Sequence, residues 1–266
     1  MTTILKLGGE LLDDAAAQHI AAVAIVRLAS SGPLVVVHGG GRAVDAELRL
    51  RGETPRFADG LRITDANALD TVVSVLAGRT NTALVAAIGA AGGRAVGLTG
   101  ADGMIGLSVQ AVPLQTMAGA PIDLGLVGQP AGTDMMLMID LLRLGYVPIV
   151  ASIGVSRIGD LLNVNADTLA GHFAARLPAD RLIIAGGTAG VLDSDGRTVP
   201  CLAQSEIDAM TSSGVAHSGM IAKLVACRAA LDAGVGEVLI VTGRGAEDYT
   251  TAEGTRLFKE PTMTSA

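Results

Sequence analysis

Lysines are rare in this chain, and two of them stand where they could do chemistry. Only three of the 19 basic residues are lysines, so a lysine here suggests a need for a compact point charge. Lys6 lies inside the apolar run of residues 4–7, and two glycines follow it. Burying its charge costs several kcal/mol unless a partner neutralises it. The pattern therefore predicts an anion close to Lys6.

Lys223 belongs to the segment AHSGMIAK, residues 216–223. A helix is predicted to begin at Gly219, which places Lys223 one turn later on the same face. A glycine at this helix start permits close approach of a phosphate, and the lysine amine would then reach a phosphoryl group in transfer. From the residues alone, a solvated helical lysine is the alternative.

Asp167 and Arg62 carry complementary chemistry. The motif NVNAD, residues 163–167, puts Asn163, Asn165 and Asp167 around a predicted helix N-terminus, where capping accounts for one of them. Asp167 is expected to act as a fixed anion that positions a lysine. Arg62 precedes a predicted helix in LRITD and suits bidentate recognition of a carboxylate. The alternative for Arg62 is a surface position in a loop.

Glycine loops follow two predicted strands, at residues 8–9 and 39–41. Such loops present backbone N–H groups to anions at the carboxyl ends of strands.

The familiar nucleotide-binding and esterase motifs are absent from the sequence. No lysine fits a Walker loop, and Val44 occupies the third glycine position of the dinucleotide fingerprint. An esterase would need a G-x-S-x-G elbow, which the sequence lacks.

Together these residues are the parts needed for phosphoryl transfer to a carboxylate. That chemistry depends on positioning and on stabilisation of charge. A carboxylate is already ionised at neutral pH, so no strong general base is needed. The histidines are expected to be structural or solvated, with His38 supporting its glycine loop; they are His19, His38, His172 and His217.

Composition narrows the classes of function. Half of the 266 residues are hydrophobic and 17% are charged, which predicts a sizeable core. The net charge of −7 and the 2% aromatic content argue against nucleic-acid binding. Two cysteines are too few for a disulfide framework, and neither a signal peptide nor a membrane span is evident. We expect a cytoplasmic protein with no membrane partner.

The order of elements predicts an α/β fold. Apolar strands at 3–7, 33–38, 146–153, 181–186 and 237–243 alternate with helices at 11–30, 64–78, 81–92, 134–145, 165–177 and 219–234. Continuous apolar strands between helices are typical of a mostly parallel sheet covered on both faces. Residues 98–130 are rich in turns and are expected to form β-hairpins near one edge of the sheet. The working picture is two lobes that share one sheet and divide near residue 175.

Eight motifs run in order over almost the whole chain. They are KLGGELL (6–12), VVVHGGG (35–41), RFADGLRITD (56–65), AVGLTGADG (95–103), DLGLVGQ (123–129), GYVPIVASIG (145–154), NVNAD (163–167) and SGMIAK (218–223). Each is weak alone, but the ordered set is specific. In this set the chain resembles the amino-acid kinase family, and within it the enzymes that phosphorylate N-acetyl-L-glutamate.

The resemblance implies a three-layer αβα sandwich with a mainly parallel central sheet. Residues 1–175 would bind N-acetyl-L-glutamate and form a homodimer. Residues 176–266 would bind ATP with Mg²⁺. The reaction would phosphorylate the side-chain carboxylate to an acyl phosphate, as a step of arginine biosynthesis.

The resemblance also implies roles for individual residues. The catalytic residues would be Lys6 and Lys223, which stabilise the transferred group, and Asp167, which orients both lysines. The substrate-binding residues would be Gly40, Gly41, Arg62 and Asn163. The nucleotide-binding residues would be Gly9, Gly187, Thr188, Gly190, Gly219 and Met220. No residue is assigned as a metal ligand.

The chain departs from the family pattern in the segment IIAGGTAGVLDSDG, residues 183–196. Gly186 and Gly187 stand where the family usually has a small hydroxyl residue and an aspartate. Thr188 is the candidate substitute for the missing contact to ATP or its metal. Only five residues precede Lys6, so the resemblance implies a dimer without the N-terminal helix of the arginine-inhibited hexamers.

Two other interpretations remain open at this point. One is a kinase for a carrier-bound amino acid such as aminoadipate, for which Arg42, Arg49, Arg51 and Arg56 could supply a basic surface. The other is a non-catalytic sensor on the same fold, for which the Gly186–Gly187 departure is the only support. The complete set of Lys6, Asp167 and Lys223 argues against a sensor, which needs no phosphoryl stabilisation.

Overall fold

Short apolar strands and the helices between them build the chain, as the alternating pattern predicts. The computed structural model describes residues 1–114, 121–132, 134–213 and 218–259. The described strands are β1 (Thr3–Leu7), β2 (Leu34–His38), β3 (Phe57–Ala58), β4 (Leu61–Arg62), β5 (Ala95–Thr99), β6 (Ser108–Gln110), β7 (Val127–Pro130), β8 (Val147–Ala151), β9 (Ile153–Val155), β10 (Leu161–Val164), β11 (Arg181–Gly186), β12 (Cys201–Ala203), β13 (Glu237–Thr242) and β14 (Gly254–Phe258). The described helices are α1 (Ala15–Ala29), α2 (Gly41–Leu50), α3 (Ala66–Val73), α4 (Asn81–Ala90), α5 (Met136–Arg143), α6 (Ala166–Arg176), α7 (Gln204–Ser213) and α8 (Ser218–Asp232).

Within the described ranges, eight strands form one continuous central sheet in the order β12-β14-β13-β11-β1-β2-β8-β5. Every neighbouring pair is parallel except β13 and β14, which are antiparallel. The mainly parallel sheet expected from the sequence is therefore confirmed. Strand β1 lies at its middle, where Lys6 is in register with Val37 of β2 and Ile184 of β11.

Helices cover both faces of the sheet, because the side chains of a strand alternate between the faces. Leu5 and Leu7 of β1 pack in an apolar cluster with residues of α1 and α4. Ile4 packs on the opposite face, in a cluster with residues of α6 and α8. Lys6 comes two residues after Ile4 and so points toward α6 and α8. The result is the expected three-layer αβα arrangement.

A second sheet holds the turn-rich segment. Strands β6 and β7 pair antiparallel, so a hairpin-like pairing is present. They join β10 and β9 in a separate four-stranded sheet and do not extend the central one. That sheet lies beside the β5 edge of the central sheet, because Gly100, directly after β5, donates its backbone N–H to the Ile153 carbonyl oxygen of β9 at 2.7 Å. Residues 115–120 of this segment lie outside the described residues.

One long helix replaces two predicted ones. The helices expected over 64–78 and from 81 onward are continuous from Ala66 to Ala90, because a π-helical stretch, Ser74–Thr80, links α3 to α4 and includes Gly78. Its length and composition alone would allow it to cross a membrane, and 39% of its most apolar 18-residue stretch is buried inside the protein. Leu84 and Ile88 are fully buried in the cluster against the sheet.

Candidate active site

Lys6 meets the anion that its sequence context predicts. The Lys6 Nζ lies 3.0 Å from Oδ1 of Asp167, and each side chain is only 8% exposed. Asp167 stands in the first turn of α6, where Asn165 caps the helix by accepting a hydrogen bond from the Thr168 backbone N–H. The cap fixes the helix start and thereby the position of Asp167. The ion pair offsets the cost of burying the lysine charge in the strand.

Two glycine loops meet beside this pair. A Cβ on Gly9 would lie 2.6 Å from the Gly40 Cα, so the loops after β1 and β2 pack backbone against backbone. A Cβ on Gly41 would find no atom within 4 Å, so the first turn of α2 opens onto free space. The N-terminus of a helix favours anions through its free N–H groups and its dipole. The loops therefore form a cradle suited to an anion.

A cleft of about 240 Å³ contains most of the predicted site. Its lining includes all of the predicted catalytic and substrate-binding residues and one of the predicted nucleotide-binding glycines; these are Lys6, Asp167, Lys223, Gly40, Gly41, Arg62, Asn163 and Gly9. They come from five separate segments, residues 6–9, 40–41, 62, 163–167 and 223. Two of these segments are the loops at the carboxyl ends of the parallel strands β1 and β2, where ligands bind in sheets of this kind.

Arg62 provides a buried guanidinium at one end of the cleft. Its Nη2 lies 2.6 Å from Asp45 Oδ1 and 3.3 Å from the Gly41 carbonyl oxygen. The Phe57 ring lies below it, with 4.7 Å between the guanidinium carbon and the ring centroid. Its Nη1 is buried and has no hydrogen-bond partner among the described residues. A buried donor without a partner is suited to bind a ligand that supplies a hydrogen-bond acceptor.

Asn163 is held beside Arg62 by a short polar chain. The Asn163 amide donates to Thr64 Oγ1 at 3.0 Å, and the Thr64 hydroxyl donates to the Arg62 carbonyl oxygen at 3.1 Å. Thr64 is fully buried. Because its Nδ2 is engaged with Thr64, the Asn163 side chain can offer its carbonyl oxygen to a ligand in the cleft.

A second cavity of about 620 Å³ contains four of the six predicted nucleotide-binding residues, Thr188, Gly190, Gly219 and Met220. Gly190 has φ +89°, and a Cβ there would lie 2.6 Å from the Thr255 backbone nitrogen. Lys223 lines both this cavity and the smaller cleft. A ligand reaching from one space to the other would pass the Lys223 amine.

Lys223 differs from Lys6 in its surroundings. Its Nζ donates to the Gly219 carbonyl oxygen at 3.3 Å, and the contact is exposed. In the described part of the chain Lys223 has no ion-pair partner, so Asp167 contacts Lys6 and not both lysines. The Lys223 charge is thus available to a ligand.

Glu10 is a charged residue of the cleft that the sequence interpretation did not use. Its Oε1 accepts a hydrogen bond from the Gly187 backbone N–H at 2.7 Å. Burial raises the pKa of the Glu10 carboxyl, but backbone hydrogen bonds from Glu10 and Gly187, together with the charges of Lys6 and Lys223, outweigh burial and leave the pKa below its usual value. The only sequence signal was its place directly after the glycine pair.

His38 supports the glycine loop from beneath. It is fully buried at the end of β2. Its Nδ1 contacts the Gly39 carbonyl oxygen at 3.1 Å, and the Asn81 amide nitrogen lies 3.1 Å from its Nε2. Asn81 also donates to the Ile149 carbonyl oxygen at 2.8 Å, so a neutral ring with its proton on Nδ1 satisfies every group.

Neither the buried imidazole of His38 nor the buried thiol of Cys227 is poised for nucleophilic chemistry. Burial lowers the pKa of His38 to about 4, although the hydrogen bond to Gly39 acts in the opposite direction. Burial, aided by the charge of Asp167, raises the pKa of the buried Cys227 thiol. The arrangement is suited to a reaction whose nucleophile arrives already ionised.

Comparisons with known proteins agree with this geometry. The sequence profile of the amino acid kinase family matches residues 1–242. The acetylglutamate kinase of Zymomonas mobilis is 39% identical over 246 residues, which cover 91% of this chain and 82% of that protein. The acetylglutamate kinase of Solidesulfovibrio magneticus is 38% identical over 247 residues, with 91% and 83% covered. The solved structure of smu.665 from Streptococcus mutans has a TM-score of 0.82 at 26% identity, covering 97% of this chain and 98% of that one.

Proposed function

Because this chain belongs to the amino acid kinase family, we propose that it transfers the terminal phosphoryl group of ATP to the side-chain carboxylate of N-acetyl-L-glutamate. The observation that carries the proposal is the buried Lys6–Asp167 pair at 3.0 Å beside two glycine loops, with Lys223 facing both spaces. The acyl phosphate product belongs to arginine biosynthesis.

The chemistry needs little from the protein beyond placement and charge. A carboxylate oxygen of the substrate attacks the terminal phosphorus, and the bond from that phosphorus to the ADP oxygen breaks. No proton has to move, so the reaction needs no general base. Lys6 and Lys223 stabilise the negative charge on the transferring group, and Asp167 holds the Lys6 ammonium in place.

The substrate end of the cleft suits a dicarboxylate. The free Nη1 of Arg62 would receive the α-carboxylate of N-acetyl-L-glutamate, and Asn163 would bind its acetamide. The backbone N–H groups at Gly40 and Gly41 would receive the reacting carboxylate and the phosphoryl oxygens. Gly9 would face the phosphates.

The nucleotide end is assigned to the larger cavity. Thr188, Gly190, Gly219 and Met220 would line the bound ATP there, and Gly187 would lie beside its phosphates. In this division residues 1–175 bind the amino acid and residues 176–266 bind ATP, on the two halves of one sheet.

The donors in the cleft also fit magnesium. Of the described residues, two carboxylates line it, Glu10 and Asp167. Asp167 neutralises Lys6, whereas Glu10 has no ion-pair partner in the described part of the chain. Magnesium in such sites takes one or two carboxylates and completes its shell with water and phosphate oxygens. When bound with ATP, the ion would neutralise part of the phosphate charge.

We propose further that the protein is a cytoplasmic homodimer that binds neither nucleic acid nor membrane. Both cysteines are free thiols, and the net charge is −7. Strand β5 forms an edge of the central sheet as described and is only partly buried. A second copy that covers this edge would protect its free backbone groups. Light scattering at micromolar protein should return twice the chain mass of 26.7 kDa.

Trapping of the product tests the proposed reaction. The protein, ATP and a panel of acidic amino acids, both free and carrier-bound, are incubated with hydroxylamine, which converts an acyl phosphate to a hydroxamate. We expect hydroxamate only with N-acetyl-L-glutamate. Reaction only with a carrier-bound amino acid such as aminoadipate would assign the chain to that substrate. Ligand binding without turnover of any acid would assign it to a sensor.

A further inference from the structure

Glu10 places a carboxylate in a cleft that otherwise attracts anions. It lines the same space as Lys6 and Lys223, directly after the glycines that face the phosphates. A carboxylate repels phosphate, so its presence there opposes nucleotide binding unless a cation lies between them. Arg62 is paired with Asp45, and the two lysines and the two carboxylates of the cleft sum to zero charge. This leaves no excess positive charge for the phosphates and favours a further cation when ATP is bound.

The Gly186–Gly187 loop lacks the side chains that could bind such a cation. A Cβ built on Gly186 would lie 3.3 Å from Glu10 Oε1 and 3.8 Å from the Lys223 Cε. A Cβ on Gly187 would lie 3.4 Å from the Glu10 Cγ. The carboxylate of Glu10 therefore occupies the space into which side chains of this loop would project. A residue 177 positions away in sequence brings an acidic group to a loop that has none of its own.

We propose that Glu10 is the carboxylate ligand of the magnesium ion that accompanies ATP. The inference rests on the proposed function. Of the two carboxylates in the cleft, Asp167 is committed to Lys6, whereas Glu10 forms no ion pair in the described part of the chain. The hydrogen bond from the Gly187 N–H fixes its Oε1 at the edge of the nucleotide loop. Magnesium prefers oxygen donors of this type, in small number, together with phosphates.

Two simpler roles for Glu10 make different predictions. It could only support the Gly187 N–H, in which case glutamine serves equally well because its amide oxygen accepts the same bond. It could instead serve Arg244, whose side chain lies close to Gly187 and which lines a small cavity together with Glu10. Arg244→Gln would then reproduce the effect of Glu10→Gln.

Magnesium-dependent nucleotide binding separates these roles. Binding of the ATP analogue AMP-PNP is measured by calorimetry in EDTA and across a magnesium titration, for the full chain and for Glu10→Gln. We expect Glu10→Gln to raise the half-saturating magnesium concentration at least ~10-fold, because even the loss of a residue that only supports a metal ligand typically costs about 10-fold or more in metal affinity. Affinity for AMP-PNP in EDTA should be unchanged or tighter, because a repulsive charge is gone. A parallel measurement with Mn²⁺, detected by electron paramagnetic resonance, should show the same loss.

Glu206→Gln is the matched control, because Glu206 also accepts a backbone N–H bond, from Ala203 at 2.7 Å, outside the cleft. It should leave the magnesium titration unchanged. The proposal for Glu10 is overturned if Glu10→Gln titrates like the unmodified chain, if its affinity falls equally with EDTA and with magnesium, or if Arg244→Gln gives the same loss. If the unmodified chain binds no AMP-PNP in either condition, the proposed function fails as well.

Discussion

The two lysines of the cleft differ in how far the protein fixes them before any ligand binds. Lys6 is buried in the central strand and paired with Asp167 at 3.0 Å. Lys223 lies on a helix surface, and its hydrogen-bond partner among the described residues is the Gly219 carbonyl oxygen of its own turn. The protein thus holds one charge in place by folding and leaves the other to be ordered by ligand. A preorganised charge needs no rearrangement during the reaction, whereas a mobile one can follow the phosphoryl group.

Removing Lys6 should have the largest effect, because it damages both catalysis and folding. In Lys6→Met we expect kcat to fall about 1,000-fold, the upper range for one electrostatic contact. Asp167 would be left buried without a partner, at a cost of about 3–5 kcal/mol in the free energy of unfolding. Urea unfolding and the hydroxamate assay measure the two losses. Lys259→Met, at an exposed lysine, is the control, and unchanged stability in Lys6→Met would contradict the role of the ion pair.

Removing Lys223 should separate catalysis from folding. We expect Lys223→Ala to lower kcat about 100- to 1,000-fold without a measurable change in unfolding, because its one hydrogen bond among the described residues is exposed and it forms no ion pair there. If kcat is retained and only KM rises, Lys223 contributes binding and not stabilisation of the transferring group. Equal destabilisation by both lysine variants would remove the contrast between them.

Acid should lower the free energy of unfolding, because His38 beneath the glycine loop is buried without charge. An unfolded histidine takes up a proton near pH 6.5, whereas the buried His38 does so only at about 4. Between these values the unfolded state binds more protons, so stability falls as pH decreases, by roughly 3 kcal/mol in all at about 1.4 kcal/mol per pKa unit. Urea unfolding from pH 7 to 4 should show this loss in the unmodified chain and in His19→Gln, an exposed control. It should be smaller in His38→Gln, and an identical slope there would contradict the assignment.

The smallest effect is expected for a conservative change at Arg62, in the end of the cleft that is proposed to bind the amino acid. Arg62→Lys keeps a positive charge but loses the planar fork that leaves Nη1 free. We expect KM for N-acetyl-L-glutamate to rise about 10- to 100-fold, the range of one charged hydrogen bond, with little change in KM for ATP. Arg56→Lys is the control, since Arg56 is exposed and pairs with Asp65 at 2.7 Å. A rise confined to KM for ATP would exclude Arg62 from the acid-binding end.

Sequence reasoning succeeded where local rules decide the structure. Alternation along β1 dictates which face Lys6 joins, and the cap at Asn165 places Asp167 in the first turn of α6. It failed where distant segments decide. The contact of Glu10 with Gly187 joins residues 177 positions apart, and the sequence around either residue contains no pattern that predicts it.

The long helix and the second sheet also depend on contacts with distant segments, which local sequence patterns do not predict. Gly78 favours a helix end by propensity, yet a π-helical stretch carries the chain through it because both flanking parts pack against their neighbours. Strands β6 and β7 were recognisable as an antiparallel pair, but their sheet is set by β10, which follows more than thirty residues after β7 begins. Which sheet a strand joins therefore depends on segments that are distant in the sequence.

Oxygen labelling shows directly whether the phosphoryl group is transferred to the side-chain carboxylate. N-acetyl-L-glutamate with ¹⁸O in its side-chain carboxylate is incubated with the protein, ATP and magnesium, and hydroxylamine then cleaves the product at its carbonyl carbon. Since the bridging oxygen leaves with phosphorus, we expect the phosphate released by hydroxylamine to carry one ¹⁸O atom. Unlabelled phosphate would mean that water, and not the carboxylate between the two lysines, receives the phosphoryl group.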